Sequence, residues 1–192
     1  MTALPSVTNV TSFAVGPVVS IARPNNVVAY ANGQVWGPAA DARIAVAAPA
    51  APADMLSGTG YSGLTVAAYI TRNPADVLAT MSAYLFRSQP ATVLGDQQNF
   101  ALSDADIDAL YFMANSVGGQ LIYSTSQANW LNTGAGVNGR RAATTSFSWR
   151  TGDMVAPGAT VWLYIVASVY TPVALETLTL VPGWSYNARP VL

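Results

Sequence analysis

The chain has 192 residues and a mass of 20.0 kDa, of which 52% are hydrophobic, 10% aromatic and 9% charged. Eight arginines face eight aspartates and Glu176 for a net charge of −1, and there is no lysine, histidine or cysteine. Those absences exclude disulfides and thiolate or zinc–cysteine chemistry, histidine bases and ligands, and lysine Schiff-base or phosphate-loop chemistry.

In chain order, residues 1–16 show no pairing pattern and are predicted to be an extended N-terminal arm, followed by a single domain over 17–192. Asn32-Gly33 between Val27–Ala31 and Gln34–Trp36 has the form of a two-residue hairpin. Residues 47–60 form an uncharged Ala/Pro loop, semi-rigid and suited to lie against another surface. From its end onward, Gly58-Thr-Gly60-Tyr-Ser-Gly63 spells the dinucleotide fingerprint. It lacks the preceding strand and following helix which that chemistry needs, so it reads as a glycine-rich turn.

Period two then dominates. Leu64, Val66, Ala68 and Ile70 share one face; so do Val77, Ala79, Met81, Ala83 and Leu85, with Leu78, Thr80, Ser82, Tyr84 and Phe86 opposite. Ser103-Asp104-Ala105-Asp106 resembles a capping box with Asp in place of Glu, and Ile107, Leu110 and Tyr111 follow at helical spacing. A short helix near 104–113 is predicted. The same aspartates open like a calcium loop, but Ala109 and Asn115 stand where that loop needs Gly and an acid, so no metal is expected. Thr145, Phe147 and Trp149 alternate next. Val161–Tyr170 is apolar on both faces, as in a strand covered twice, and Val173–Val181 follows after the short turn Thr171-Pro172. The fold class is mainly β: an antiparallel, jelly-roll-like β-sandwich with one short helix.

The charge deficit has a consequence for surface. A folded monomer of this mass exposes roughly 8,700 Å². Its seventeen charged side chains leave about one charge per 500 Å², roughly a third of the usual density. Gly and Pro are near average, so the chain is not of a disordered type. Burial of surface in an assembly accounts for this; a neutral Ser/Thr/Asn/Gln surface is the alternative. No basic stripe points to nucleic acid, and the apolar run Val161–Ala167 is far short of the ~20 residues of a spanning helix, so neither nucleic acid nor membrane is an expected partner. Met1–Pro5 lacks the positive region of a signal peptide, which implies cytosolic synthesis.

Catalytic residues are not expected. Asp41, Asp54, Asp76, Asp96, Asp153 and Glu176 are scattered singly through turns, where Asp serves as a turn-former. Trp36, Trp130, Trp149, Trp162 and Trp184 could stack on sugars, but in a sandwich such aromatics more often fill the core or an oligomer interface.

Two stretches carry a resemblance: Ala22-Arg-Pro-Asn-Asn-Val-Val-Ala-Tyr30-Ala-Asn-Gly33-Gln-Val-Trp-Gly37, and Tyr84-Leu-Phe86, Pro90 and Asp96-Gln-Gln-Asn99-Phe100-Ala-Leu-Ser103-Asp104-Ala-Asp106. They resemble a family of small β-rich structural proteins encoded by tailed bacteriophages and prophages, departing at Gln34, where Asp is usual. The resemblance covers about a quarter of the chain and brings no catalytic motif, cofactor or metal. It implies a virion component on the capsid surface: a jelly-roll cement or decoration protein bound to the major capsid protein, and a homo-oligomer, with a trimer expected from three-fold capsid positions. The candidate interface residues are Val7, Val10 and Phe13 of the arm, with Trp162, Tyr164 and Trp184. The second reading is a tail or baseplate module that recognises host surface carbohydrate.

Overall fold

A computed structural model describes residues 10–71, 80–108, 119–122, 141–148, 153–168, 171–172 and 174–189. The alternating segments form strands β1 (Val10–Val15), β2 (Val19–Ala22), β3 (Gln34–Trp36), β4 (Ile44–Ala47), β5 (Tyr61–Thr71), β6 (Thr80–Phe86), β7 (Gly119–Ile122), β8 (Arg141–Ser148), β9 (Thr160–Ala167) and β10 (Thr177–Ala188). Helix α1 spans Asp104–Asp108, and the remainder of the helix expected to 113 lies outside the described residues. All strand pairs are antiparallel. One sheet runs β1-β10-β5-β8, with β2 also on β10; the other runs β3-β9-β6-β7, with β4 also on β9.

The two sheets share one core. Leu64, Val66, Ala68 and Ile70 of β5 face inward beside Leu178, Leu180 and Trp184, and meet Met81, Ala83 and Leu85 of β6 and Val161, Leu163 and Ile165 of β9. Both faces of β9 are indeed covered. Its outer face carries Tyr164, which packs with Val35, Ala42 and Phe86 beneath Leu94, Phe100 and Leu102 of the segment after β6. The Tyr164 hydroxyl donates to Thr92 O at 2.7 Å and accepts from Leu94 N at 3.2 Å, which pins that cover in place. The cover reaches so close to the loop before β4 that a Cβ on Gly95 would lie 1.9 Å from Ala39 O.

Several expectations change. The arm predicted over 1–16 is, from Val10 onward, a strand of the first sheet, because β1 finds β10 of its own chain across Val10↔Ala188 to Val15↔Gly183. The turn at Asn32-Gly33 forms, with Gly33 at φ 82, but residues 27–29 do not return as a strand and β3 pairs with β9 instead. The 47–60 loop lies against its own sandwich. Tyr61 donates to Ala50 O at 3.0 Å, Leu56 N to Asn187 O at 3.0 Å, and Tyr186 to Asp54 Oδ1 at 2.9 Å. Of the glycine-rich stretch read as a turn, Gly58 (φ 73) turns the chain as expected, but Tyr61, Ser62 and Gly63 already belong to β5.

The last strand runs seven residues past the predicted end at Val181, through Pro182 and Gly183. Pro182 O accepts from Gly16 N at 2.8 Å, so the donor that proline lacks would also have faced that side. There the edge breaks: β1 ends at Val15 and β2 resumes at Val19, one residue out of register. Proline is therefore tolerated in a strand with neighbours on both sides.

The two cores differ in what they lose on mutation. Leu163→Ala, between the sheets, is expected to cost about 2–5 kcal/mol through a cavity. Tyr164→Phe keeps the ring but leaves the cover's main-chain groups unpaired, for about 1–3 kcal/mol. Urea unfolding of both variants measures this.

Candidate interaction edge

Nothing charged occurs before Arg23 in the sequence, and β1 and β2 together form one long edge of the first sheet. Natural sheets usually protect such an edge with charge, a bulge or a covering element. Here, seven of the nine exposed large hydrophobic side chains among the described residues cluster along it. Val10, Phe13 (68% exposed), Val15 (71%) and Val18 lie on or between the strands, and Val27 and Val28 project from the loop that follows; Leu175 flanks the start of β10. Thirteen extended residues from Val10 to Ala22 make a strip about 40 Å long.

A buried polar junction holds the far end of this strip. Arg23 is 2% exposed and donates through Nε to the Tyr30 hydroxyl at 2.6 Å and through NH2 to Asp96 Oδ2 at 3.1 Å. Tyr30 donates in turn to Asp96 Oδ1, which also receives Gly37 N at 3.2 Å. The guanidinium lies 4.9 Å from the Tyr30 ring centre and reaches Asn26 Oδ1 at 3.1 Å. Burial opposes the Arg23 charge, but Tyr30 and Asp96 outweigh it and hold the guanidinium firmly protonated. Burial, reinforced by Asp96, pushes the Tyr30 hydroxyl well above its ordinary range.

The network thus clasps both ends of loop 24–29. Gln97 Nε2 donates to Val28 O, near the loop's end, at 2.6 Å. Gln97 (φ 64) and Leu175 (φ 60) are left-handed, and both adjoin the network: Gln97 follows Asp96, and Leu175 precedes Glu176, whose carbonyl takes Arg23 N at 2.9 Å. Such conformations persist only where surroundings over-determine them. The loop that carries Val27 and Val28 is thus hydrogen-bonded at Asn26, Val28 and Tyr30.

The acidic cluster does different work. Ser103 Oγ caps the helix by accepting Asp106 N at 3.2 Å. The Asp106 carboxylate turns away to Ala91 N at 2.6 Å, Thr92 N at 2.8 Å, the Thr92 hydroxyl and Ser103 Oγ at 2.9 Å. Although burial works against the charge, those donors hold its carboxyl down at about 2. Asp41 pairs with Arg43 at 2.6 Å and Asp153 with Arg87 at 3.5 Å. Among the described residues no group of three potential ligands could hold a metal ion.

Of the six interface residues expected from sequence, Val10 and Phe13 are exposed on β1, and Val7 lies outside the described residues. Trp162 is half-buried against the outer core. Tyr164 and Trp184 are fully buried within the chain, one under the cover and one between the sheets, so neither can serve an interface. Trp36 is likewise core, while Trp130 and Trp149 lie outside the described residues. Val15 and Val18, in the uncharged run before Arg23, and Val27, Val28 and Leu175 beyond it are also exposed along this edge; the run itself was a signal only for the first two. No protein-family model matches the chain, and no curated protein matches it.

Two outcomes test this construction. Arg23→Met, which strands the Asp96 charge, should cost about 3–5 kcal/mol in urea unfolding, and Arg23→Met with Asp96→Leu should lose less than the single change. For Asp106, the folded pKa lies below the unfolded 3.8, so its stabilisation is complete above that value and fades as pH falls towards 2. Asp106→Asn should therefore cost about 2 kcal/mol at pH 6, with the gap to the parent closing near pH 2.

Proposed function

We propose that the chain is a non-enzymatic structural protein of a phage virion: a cement or decoration protein that binds the head shell as a homo-oligomer. The observation that carries this reading is the concentration of exposed hydrophobic side chains on one uncharged edge, beside the exposed tip Val27–Val28. Monomeric surfaces rarely gather apolar groups this way unless a protein partner covers them.

The strand order supports it. Counting β1 with β2 and β3 with β4 as single interrupted strands gives eight. The order is then first, eighth, third, sixth against second, seventh, fourth, fifth, and we read it as a jelly roll. That architecture serves both capsid and lectin domains, so surface chemistry must discriminate. Burial of Trp36 and Trp184 removes two aromatic platforms that a sugar would need. In this reading the Val27–Val28 tip meets the major capsid protein.

Purified protein added to undecorated heads of the encoding phage should co-sediment to saturation and raise their resistance to heat. Val27→Asp with Val28→Asp should fold normally, since both side chains are exposed, yet bind at least tenfold more weakly. Failure to bind heads, together with binding to tails or host polysaccharide, would replace this reading with receptor recognition.

A further inference from the structure

We infer that the free edge of β1 pairs with β1 of a second copy, antiparallel and centred on Phe13, so that two first sheets become one continuous sheet. This rests on the geometry of the edge and not on attachment to a phage head. Among the described residues β1 has a strand on one side only.

The alternation of main-chain directions fixes the register. Gly16 N points to β10, where it meets Pro182 O. In a strand, neighbouring residues turn their N–H and C=O to opposite edges, so Ala14, Ser12 and Val10 also face β10. Thr11, Phe13 and Val15 therefore present three N–H and three C=O groups to the open side. A two-fold axis at Phe13 sets Phe13 opposite its counterpart, with Thr11 opposite Val15 on either side. Each pair exchanges two hydrogen bonds, so all six outward groups on each copy are satisfied.

The side chains fit this arrangement. Phe13, Thr11 and Val15 share the outer face, and the two Phe13 rings become direct cross-strand neighbours, a favourable pair. The inward set Ser12 and Ala14 is small and already half-buried. With no charge anywhere before Arg23, no like charges meet across the axis. A partner of different sequence would satisfy the main chain equally well, but only an identical strand brings this register's Phe–Phe and Thr–Val pairs together by symmetry.

The absence of cysteine makes the test direct. In Phe13→Cys the axis places two Cα atoms about 5.5 Å apart, within the range a disulfide spans. Under mild oxidation the full chain should cross-link to a dimer, whereas Val93→Cys, exposed but away from the edge, should not. By sedimentation equilibrium the parent should self-associate, with Phe13→Lys raising the dissociation constant at least tenfold. Val15→Pro removes one outward N–H and spares the β10 ladder, and should weaken association while circular dichroism stays that of the parent. A parent that remains monomeric at 100 µM would overturn the inference (about 100 µM being ample for weak homodimers). So would cross-linking of Phe13→Cys no faster than Val93→Cys, or an oligomer that Phe13→Lys leaves intact.

Discussion

Arg23 and Asp96 bring opposite charges into a space that water does not reach, and much of the architecture around the edge follows from the need to satisfy them. A guanidinium with five donors and a carboxylate with two acceptor oxygens are costly to bury unless nearly every polar position finds a partner. The partners come from four places: Tyr30 at the far end of the following loop, Asn26 within it, Gly37 after β3, and Asp96 itself from the cover over β9. One residue at the end of β2 thereby ties the first sheet, the loop and the covering segment into a single unit. Breaking it would release the valine tip and loosen the cover together.

The cover exists because β9 is apolar on both faces. A strand of that kind has to be covered twice, and one face meets the opposite sheet while the other has only irregular chain to hide it. Irregular chain brings main-chain donors with it, and Tyr164 and the Asp106 carboxylate receive them. An aspartate that sequence places in a helix cap thus fastens a loop fifteen residues earlier. Asp96 sits in this fastened segment, so the loop that carries Val27 and Val28 is tied to it through Arg23 and Tyr30.

The low charge of the whole protein takes a specific form in space. Among the described residues Arg23–Asp96, Arg43–Asp41 and Arg87–Asp153 form ion pairs and Asp106 and Glu176 are buried, while the edge formed by β1 and β2 carries no charged side chain. Edges of that sort are hazardous in isolation, since an open row of donors and acceptors recruits any extended chain. An edge with ordered strands, a central phenylalanine and no repelling charge has the features that the inferred pairing with a second copy requires.

Sequence alone determined a good part of this. The period-two faces of β5 and β6, the doubly apolar run of β9, the turn at Asn32-Gly33, the helix start at Ser103 and the exclusion of cysteine, histidine and lysine chemistry were all legible, because each depends on residues close together in the chain. Tertiary structure decided the rest. Residues 10–15 resembled an unpaired arm because their partner lies some 170 residues away in β10. The end of β10 was hidden by Pro182, a residue that belongs in a strand only where the neighbouring edge is interrupted. Tyr164 and Trp184 carried the composition of an interface, and which way each faced depended on what covered it. Most of all, Arg23, Tyr30 and Asp96 were visible as separate letters. Their meeting needs β2, loop 24–30 and the cover of β9 to arrive at one point, and only long-range packing brings them there.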